Sequence, residues 1–252
     1  MTTNIPRCHI KVINGNTCHP MTANIDAAAQ VAKFPHTEIV TVQPRTGPES
    51  IESYYDEYLA IPSVIEQIIL DDTSDAFILA CWGDPGIEAA REVTDRPVVG
   101  IAEASMYVAN MLAAKWSVVT TLHRVRDMVE KTVWKTGFTH RCASVRTTTL
   151  AVLDTENDRQ ATLETLTETS KLAIEQDGAE AICLGCAGMS GLEQQLEARL
   201  GVPVVDAVAA AVKMAESLVG LGKTTSKQRT YRQPEIKNLV GYPAHFQAEK
   251  IR

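Results

Sequence analysis

The chain has 252 residues, of which 45% are hydrophobic and 22% charged, and it carries a net charge of −7. This composition is typical of a globular protein large enough to bury a sizeable core, and the negative charge argues against a general affinity for nucleic acid. No apolar run reaches the ~18 residues of a membrane span and the N-terminus lacks the basic-then-apolar pattern of a secretory signal, so we expect a cytoplasmic protein whose six cysteines are free thiols.

Short β-branched runs alternate with longer amphipathic stretches along the chain. The predicted strands are HIKVIN (9–14), TEIVTVQ (37–43), DAFILAC (75–81), PVVGI (97–101), WSVVTT (116–121), AEAICLG (179–185) and VPVVD (202–206). The predicted helices cover 57–71, 86–94, 103–114, 156–177, 191–200 and 207–220. This alternation predicts an α/β fold with parallel sheets, and the nearly continuous apolar strands indicate that helices cover both sheet faces.

The chain also repeats itself. DAFILAC ends at Cys81 and EAICLGC ends at Cys186, and a glycine-containing loop follows each of them. PVVG at 97 matches PVVD at 203, and KVIN at 11 matches SVVT at 117. Three matches at nearly one spacing predict two pseudo-symmetric α/β lobes with largely parallel sheets, facing a central cleft. We expect residues 1–105, completed by 207–222, to form lobe 1, and residues 106–206 to form lobe 2.

Residues 223–252 differ from the rest of the chain in charge. They hold seven Lys or Arg against two Asp or Glu, whereas the remainder is strongly acidic. This basic C-terminal tail is expected to lie on the acidic body or to reach a neighbouring subunit. A partly disordered end is the alternative.

Cys81 and Cys186 fall at the carboxyl ends of equivalent predicted strands, where parallel α/β sheets bind ligands. A helix N-terminus follows each and favours a thiolate. Two thiols on opposite sides of a cleft suit stereoinversion, because one removes a proton from a carbon acid and the other returns one to the opposite face. Neither step needs a metal or an organic cofactor. A buried hydrophobic cysteine is the alternative for either residue alone.

The other cysteines are expected to be structural. The side chain of Cys183 should point to the opposite strand face from that of Cys186, into the core. A redox pair of these two is disfavoured because Cys183 lies inside a strand rather than at a helix start. A zinc site lacks a second suitably spaced pair of ligands. Cys8, Cys18 and Cys142 have no evident chemical partner.

Polar residues and a tryptophan stand beside these strand ends. Asn14 and Asn16 follow the first strand, and Thr120 and Thr121 end the equivalent strand of the second lobe. Such residues cap helices in the simplest interpretation, and in the functional one they bind a carbonyl or a ring N–H. Trp82 is either a wall of the pocket or part of the packing around it.

Seven segments of this chain resemble the hydantoin racemases of the aspartate/glutamate racemase superfamily. They are KVINGNT (11–17), SIESYYDE (50–57), ACWGDPGIEAAREV (80–93), PVVGIAEAS (97–105), SVVTTLHR (117–124), AICLGCAGMSGLEQQL (181–196) and GVPVVDAVAAAVKM (201–214). The resemblance implies two pseudo-symmetric lobes, a homo-oligomer, and Cys81 and Cys186 as the acid/base pair. It also implies that backbone N–H groups near Trp82, Gly83, Ala187 and Gly188 hold the substrate carbonyl as it gains enolate character.

We therefore predict a cofactor-independent racemase that interconverts D- and L-5-substituted hydantoins, with allantoin racemase as the close alternative. The expected partner is a small hydantoin-type substrate, with neither nucleic acid nor membrane. The lack of an evident Arg or Lys beside the cysteines disfavours an amino-acid racemase. The presence of both cysteines disfavours a decarboxylase or isomerase of the superfamily, and a non-enzymatic ligand sensor would need neither thiol.

Overall fold

Two parallel sheets with the same strand order form the centre of the protein. The computed structural model describes residues 7–247, apart from the side chain of residue 156. The first sheet has the order β2-β1-β3-β4 and the second the order β6-β5-β7-β8. The strands are β1 (Cys8–Asn14), β2 (Thr37–Val42), β3 (Ala76–Ala80), β4 (Val98–Gly100), β5 (Trp116–Thr120), β6 (Cys142–Thr147), β7 (Ala181–Leu184) and β8 (Val204–Val205). The predicted α/β fold with two pseudo-symmetric lobes is confirmed.

The register shows how closely the two sheets correspond. In the first sheet Ile13 of β1 pairs with Leu79 of β3, and in the second Val119 of β5 pairs with Leu184 of β7. All residues of β3 and of β7 are buried, as expected where helices cover both faces. Because the paired strands end at the same sheet edge, the residues after β3 and after β7 take equivalent places.

The helices cover the sheets and join the lobes. They are α1 (His19–Ala32), α2 (Tyr54–Ile69), α3 (Ile87–Val93), α4 (Ile101–Leu112), α5 (Arg126–Lys135), α6 (Asp154–Asn157), α7 (Arg159–Asp177), α8 (Glu193–Leu200) and α9 (Ala207–Gly220). Helix α9 follows the second sheet in sequence but packs against β3 and β4 of the first, and α4 packs against β7. The lobe boundaries at residues 105 and 207 stay predictions.

Several elements differ from those predicted. The predicted helix 156–177 is two helices, because the Asp158 side chain accepts a hydrogen bond from the Ala161 N–H and starts α7 afresh. Helix α2 starts earlier than predicted, because Ser53 caps it by accepting from the Asp56 N–H. Helices α1 and α5 and strand β6 were not among the predicted elements. Strand β6 lies at a sheet edge and is mostly half-buried, which weakens its apolar pattern.

The first part of the tail lies on the body of the same chain. The Thr225 N–H donates to the Asp95 carbonyl, and the Lys227 ammonium donates to the carbonyls of Arg91 and Glu92. Tyr231 stacks beneath the Arg91 guanidinium. Residues 248–252 of the predicted tail and residues 1–6 of predicted lobe 1 lie outside the described residues. Within residues 7–247, no helix has the length and apolarity needed to cross a bilayer.

Candidate active site

One cavity contains both Cys81 and Cys186. Cys81 directly follows β3, and Cys186 follows β7 after one glycine. The cavity, together with the open space at its mouth, encloses about 600 Å³. Its lining residues are Asn16, Met21, Ile51, Glu57, Ala80, Cys81, Trp82, Gly83, Thr120, Thr121, Val125, Met128, Val129, Val152, Gly185, Cys186 and Ala187. The two thiols therefore have access to the same bound molecule.

A tight turn follows Cys81. The Asp84 N–H donates to the Cys81 carbonyl at 2.9 Å, and Asp84 adopts a left-handed φ of 48°, which is uncommon for a non-glycine residue. The Gly83 N–H is directed at the Cys81 sulfur and favours its ionised form. The resemblance implies that this N–H binds a substrate carbonyl. In the structure the same N–H also forms a hydrogen bond with the Cys81 sulfur.

The surroundings of Cys81 favour the protonated thiol. Burial raises its pKa, and so do the negative charges of Cys186, Glu57 and Asp84, while the Gly83 N–H lowers it; the net pKa is about 12. The sequence-based expectation is that a helix N-terminus favours the thiolate, and at Cys81 burial acts in the opposite direction. Helix α3 begins at Ile87, six residues after Cys81. Because the field of a helix N-terminus weakens beyond its first turn, it does not offset the rise in the Cys81 pKa that burial causes. At neutral pH Cys81 is in the form that can give a proton.

Cys186 stands where β7 passes into a short 3₁₀ turn, Ala187–Met189. The residue before it, Gly185, is held from the side by Thr120, whose hydroxyl donates to the Gly185 carbonyl at 2.8 Å. A β-carbon at Gly185 would lie 2.6 Å from the Thr120 β-carbon. Thr120 thus lines the cavity and also fixes the strand end that carries Cys186.

Asn14 and Asn16 take different places. The Asn14 amide donates to Asn16 Oδ1 and to Thr22 Oγ1, both at 2.9 Å, and its own Oδ1 accepts from the Asn16 N–H. Asn16 lines the cavity, whereas Asn14 is not among the lining residues. Asn14 therefore orders the loop that presents Asn16. In the same loop, a β-carbon at Gly15 would lie 3.2 Å from the Cys81 β-carbon.

Of the remaining predicted site residues, some line the cavity and one helps to fix an adjoining turn. Trp82, Thr121 and Ala187 line the cavity, and Gly188 does not. The Gly188 carbonyl accepts from the Arg159 guanidinium at 2.9 Å, which fixes the turn after Cys186. Trp82 is only 4% exposed, and its buried indole N–H has no hydrogen-bond partner among the described residues. The indole N–H is therefore a buried donor without a partner beside the cavity.

Sequence reasoning missed Glu57 and most of the apolar wall. Glu57 is the last residue of SIESYYDE, one of the segments that carry the resemblance. That match could have identified Glu57 as a candidate site residue. The apolar residues Ile51, Val125 and Met128 come from both lobes and form one cluster. No single stretch of sequence indicates that they meet.

The remaining cysteines belong to the packing. Cys183 is fully buried, its thiol donates to the Ser105 carbonyl at 3.7 Å, and burial raises its pKa. Burial likewise raises the pKa of Cys8 and of Cys142, each to about 11. The predicted core position of Cys183 is confirmed. Among residues 7–247, no group of three or more His, Cys, Asp or Glu side chains is arranged to hold a metal ion.

Comparison with known proteins gives consistent matches over nearly the whole chain. The family model described as Asp/Glu/Hydantoin racemase matches residues 10–215. A hydantoin racemase of Pseudomonas sp. (strain NS671) is 55% identical, over 94% of this chain and 96% of that protein. A hydantoin racemase of Paenarthrobacter aurescens is 44% identical, over 92% and 99%. The solved allantoin racemase from Klebsiella pneumoniae superposes with a TM-score of 0.90 at 45% identity, over 93% of this chain and 96% of that one.

Proposed function

The chain belongs to the Asp/Glu/hydantoin racemase family, and from that membership we propose that it is a racemase, an isomerase that interconverts the D- and L-forms of 5-substituted hydantoins without a cofactor. One observation carries the proposal: Cys81 and Cys186 follow equivalent strands of the two sheets and line a single cavity. Two acid/base groups that reach one bound carbon suit its inversion, since the two enantiomers expose their protons on opposite faces and each face then has its own group.

The proposed reaction moves one proton onto C5 and one off it. The Cys186 thiolate takes the C5 proton, and the electron pair of the broken C–H bond moves into the adjacent ring carbonyl as an enolate. The Cys81 thiol then gives its proton to the opposite face of C5. This leaves Cys81 as the thiolate and Cys186 as the thiol, which is the starting state for the other enantiomer.

The environment of the thiols supports these roles. A thiol with a raised pKa becomes a stronger base once it is ionised, which narrows the gap to a weakly acidic carbon, and burial raises the pKa of Cys81 to about 12. The apolar wall formed by Ile51, Val125 and Met128 lowers the local dielectric, so hydrogen bonds to the developing oxyanion gain strength. We assign that binding to the backbone N–H groups of the turns at Trp82–Gly83 and Ala187–Gly188.

The direct test follows a single enantiomer of 5-benzylhydantoin or a 5-alkylhydantoin with the purified protein. Loss of optical rotation to zero, without any change in the amount of hydantoin, is the expected result. Unchanged rotation for every 5-substituted hydantoin would refute the proposal.

Allantoin is the second candidate substrate, because it is a hydantoin with a ureido group at C5. The similarity to the solved allantoin racemase from Klebsiella pneumoniae, which is 45% identical to this chain, favours it. Racemisation of (S)-allantoin beside the 5-alkyl and 5-benzyl compounds decides between the two. A kcat/KM for allantoin that is higher by orders of magnitude would make allantoin the substrate.

We also propose a cytoplasmic location and a homo-oligomeric state, each on its own ground. A two-thiol reaction needs reduced cysteines, which supports a cytoplasmic location. Exposed apolar side chains on α4, among them Tyr107 and Met111, support a homo-oligomer, because apolar patches of this kind mark interaction surfaces. Light scattering on the purified protein tests the second point, and a monomer at micromolar concentration would refute it.

A further inference from the structure

Glu57 is the only Asp, Glu, Lys, Arg or His among the described residues that line the cavity. It lies in the first turn of α2, in the lobe that carries Cys81. Its Oε1 is 3.4 Å from the position that a β-carbon at Gly83 would take, so the carboxylate lies against the turn that follows Cys81. The residues that share the cavity wall with Glu57 are otherwise apolar, neutral polar or thiol-bearing.

No basic side chain of residues 7–247 forms an ion pair with Glu57. The two nearest lysines attract it only at longer range and are paired elsewhere, Lys131 with Asp127 at 2.8 Å and Lys135 with Glu88. Burial raises the pKa of Glu57, as expected for a carboxylate removed from water without a close counter-charge. A half-buried carboxylate without an ion pair is costly, and hydrogen bonds from a ligand would offset that cost.

Resting on the racemase function proposed above, we infer that Glu57 is a specificity-determining residue whose carboxylate accepts a hydrogen bond from a substrate N–H and excludes substrates that carry a carboxylate. A hydantoin ring offers N–H groups at N1 and N3, and a ureido substituent offers more. An anionic substituent at C5 would instead meet the negative charge of Glu57 in a cavity whose described lining contains no Lys or Arg.

The inference is tested by pairing variants of Glu57 with altered substrates. Wild type and Glu57→Ala are compared on a 5-alkylhydantoin and on its N1-methyl and N3-methyl derivatives, each lacking one N–H. A charge-assisted hydrogen bond predicts that one methylation lowers the wild-type kcat/KM by roughly 10–100-fold. The same methylation should lower kcat/KM of Glu57→Ala by less than about 3-fold, because this variant has no carboxylate hydrogen bond to lose. A purely structural role would leave the penalty for methylation unchanged.

A second substrate tests the exclusion of carboxylates. Hydantoin-5-acetic acid has the same ring and a negative charge on the C5 substituent. Glu57→Gln keeps the shape of the side chain and removes its charge, so the ratio of kcat/KM for this acid to that for 5-ethylhydantoin should rise by roughly 10-fold over wild type. The change should appear mainly in KM, because repulsion acts on binding.

Asp72→Asn provides the matched control. It removes one carboxylate from an exposed position in the loop after α2, and both ratios should stay at the wild-type value. Thermal unfolding of all variants shows which of them are folded.

The outcomes separate the two proposals. Wild type that racemises no hydantoin refutes the proposed function. The role of Glu57 is refuted if wild type is active and two quantities stay at the wild-type value: the N-methylation penalty in Glu57→Ala and the selectivity against the acid in Glu57→Gln.

Discussion

The carboxyl group of Asp84 occupies the space that a side chain at residue 100 would need. Asp84 Oδ1 accepts from the Ala102 N–H and Oδ2 accepts from the Glu103 N–H, both at 2.9 Å. A β-carbon on Gly100 would overlap with this carboxyl group. Asp84 thus caps α4 from the loop after Cys81, and it can do so because residue 100 is glycine.

In the second half of the repeat, the carboxyl group that links the thiol-bearing loop to a helix comes from the helix side rather than from the loop. Asp206, at the end of PVVD, is the repeat equivalent of Gly100, at the end of PVVG. Its carboxylate accepts from the Gly191 N–H and from the Ser190 hydroxyl in the loop after Cys186, and it also caps α9 through the Ala209 N–H. In each lobe one buried carboxyl group ties the thiol-bearing loop to a helix N-terminus.

Gly100→Ala should destabilise the protein by roughly 2–4 kcal/mol, because the new methyl group cannot fit beside Asp84 without moving it. In an Asp84→Ala background the same change should cost much less, since the overlap is gone. Urea unfolding of the four proteins of this double-mutant cycle measures the difference. Equal costs of Gly100→Ala in the two backgrounds would show that the two residues are not coupled.

Asp84 should make stability depend on pH. Burial, with the charge of Glu103, raises its pKa from 3.8 to about 8. The folded state therefore holds this proton where the unfolded state has lost it, and the stabilisation fades as pH rises from about 4 through about 8, with a slope of up to ~1.4 kcal/mol per pH unit. Asp84→Asn should lack this component. Urea unfolding of both proteins across that range measures it, and parallel curves would contradict the prediction.

Cys81→Ser and Cys186→Ser should each lower racemisation by at least roughly 10²–10⁴-fold, because a hydroxyl is a far weaker acid than a thiol and is not ionised to a useful extent near neutral pH. Each variant retains one thiol, so exchange of the C5 proton from one enantiomer can survive. Deuterium uptake from heavy water, followed separately for the two enantiomers, should show opposite preferences in the two variants. Full racemase activity in either variant would remove the two-thiol mechanism.

Gly185→Ala should lower kcat by roughly 10-fold or more and destabilise the fold by ~1–3 kcal/mol. The added β-carbon would press on Thr120 and Val118 and displace the strand end that carries Cys186. Gly220→Ala is the control, since a β-carbon there meets nothing within 4 Å and lies in a helix. It should leave kcat unchanged and stability equal or slightly higher. Equal kinetics for the two variants would show that Gly185 does not position the thiol.

Activity should be independent of metals and organic cofactors, because proton transfer between two thiols requires neither. The purified protein should racemise its substrate at the same rate with or without EDTA, and added pyridoxal phosphate should not increase the rate. Loss of activity on dialysis against EDTA, restored by one divalent cation, would contradict this prediction.

The sequence by itself determined the α/β class, the two matching lobes and the position of both thiols at strand ends. These features are local: apolar runs reveal strands, and a repeat reveals itself wherever two segments match, as DAFILAC and EAICLGC do. Only the tertiary structure decided which side chains share the cavity with the thiols. Glu57, Val125 and Val152 come from three separate segments, and Asn14 turns to its neighbours while Asn16 lines the wall. The protonated state of Cys81 is likewise set by burial and by charges from distant parts of the chain, because desolvation and Coulomb forces depend on distance in space rather than on separation in sequence.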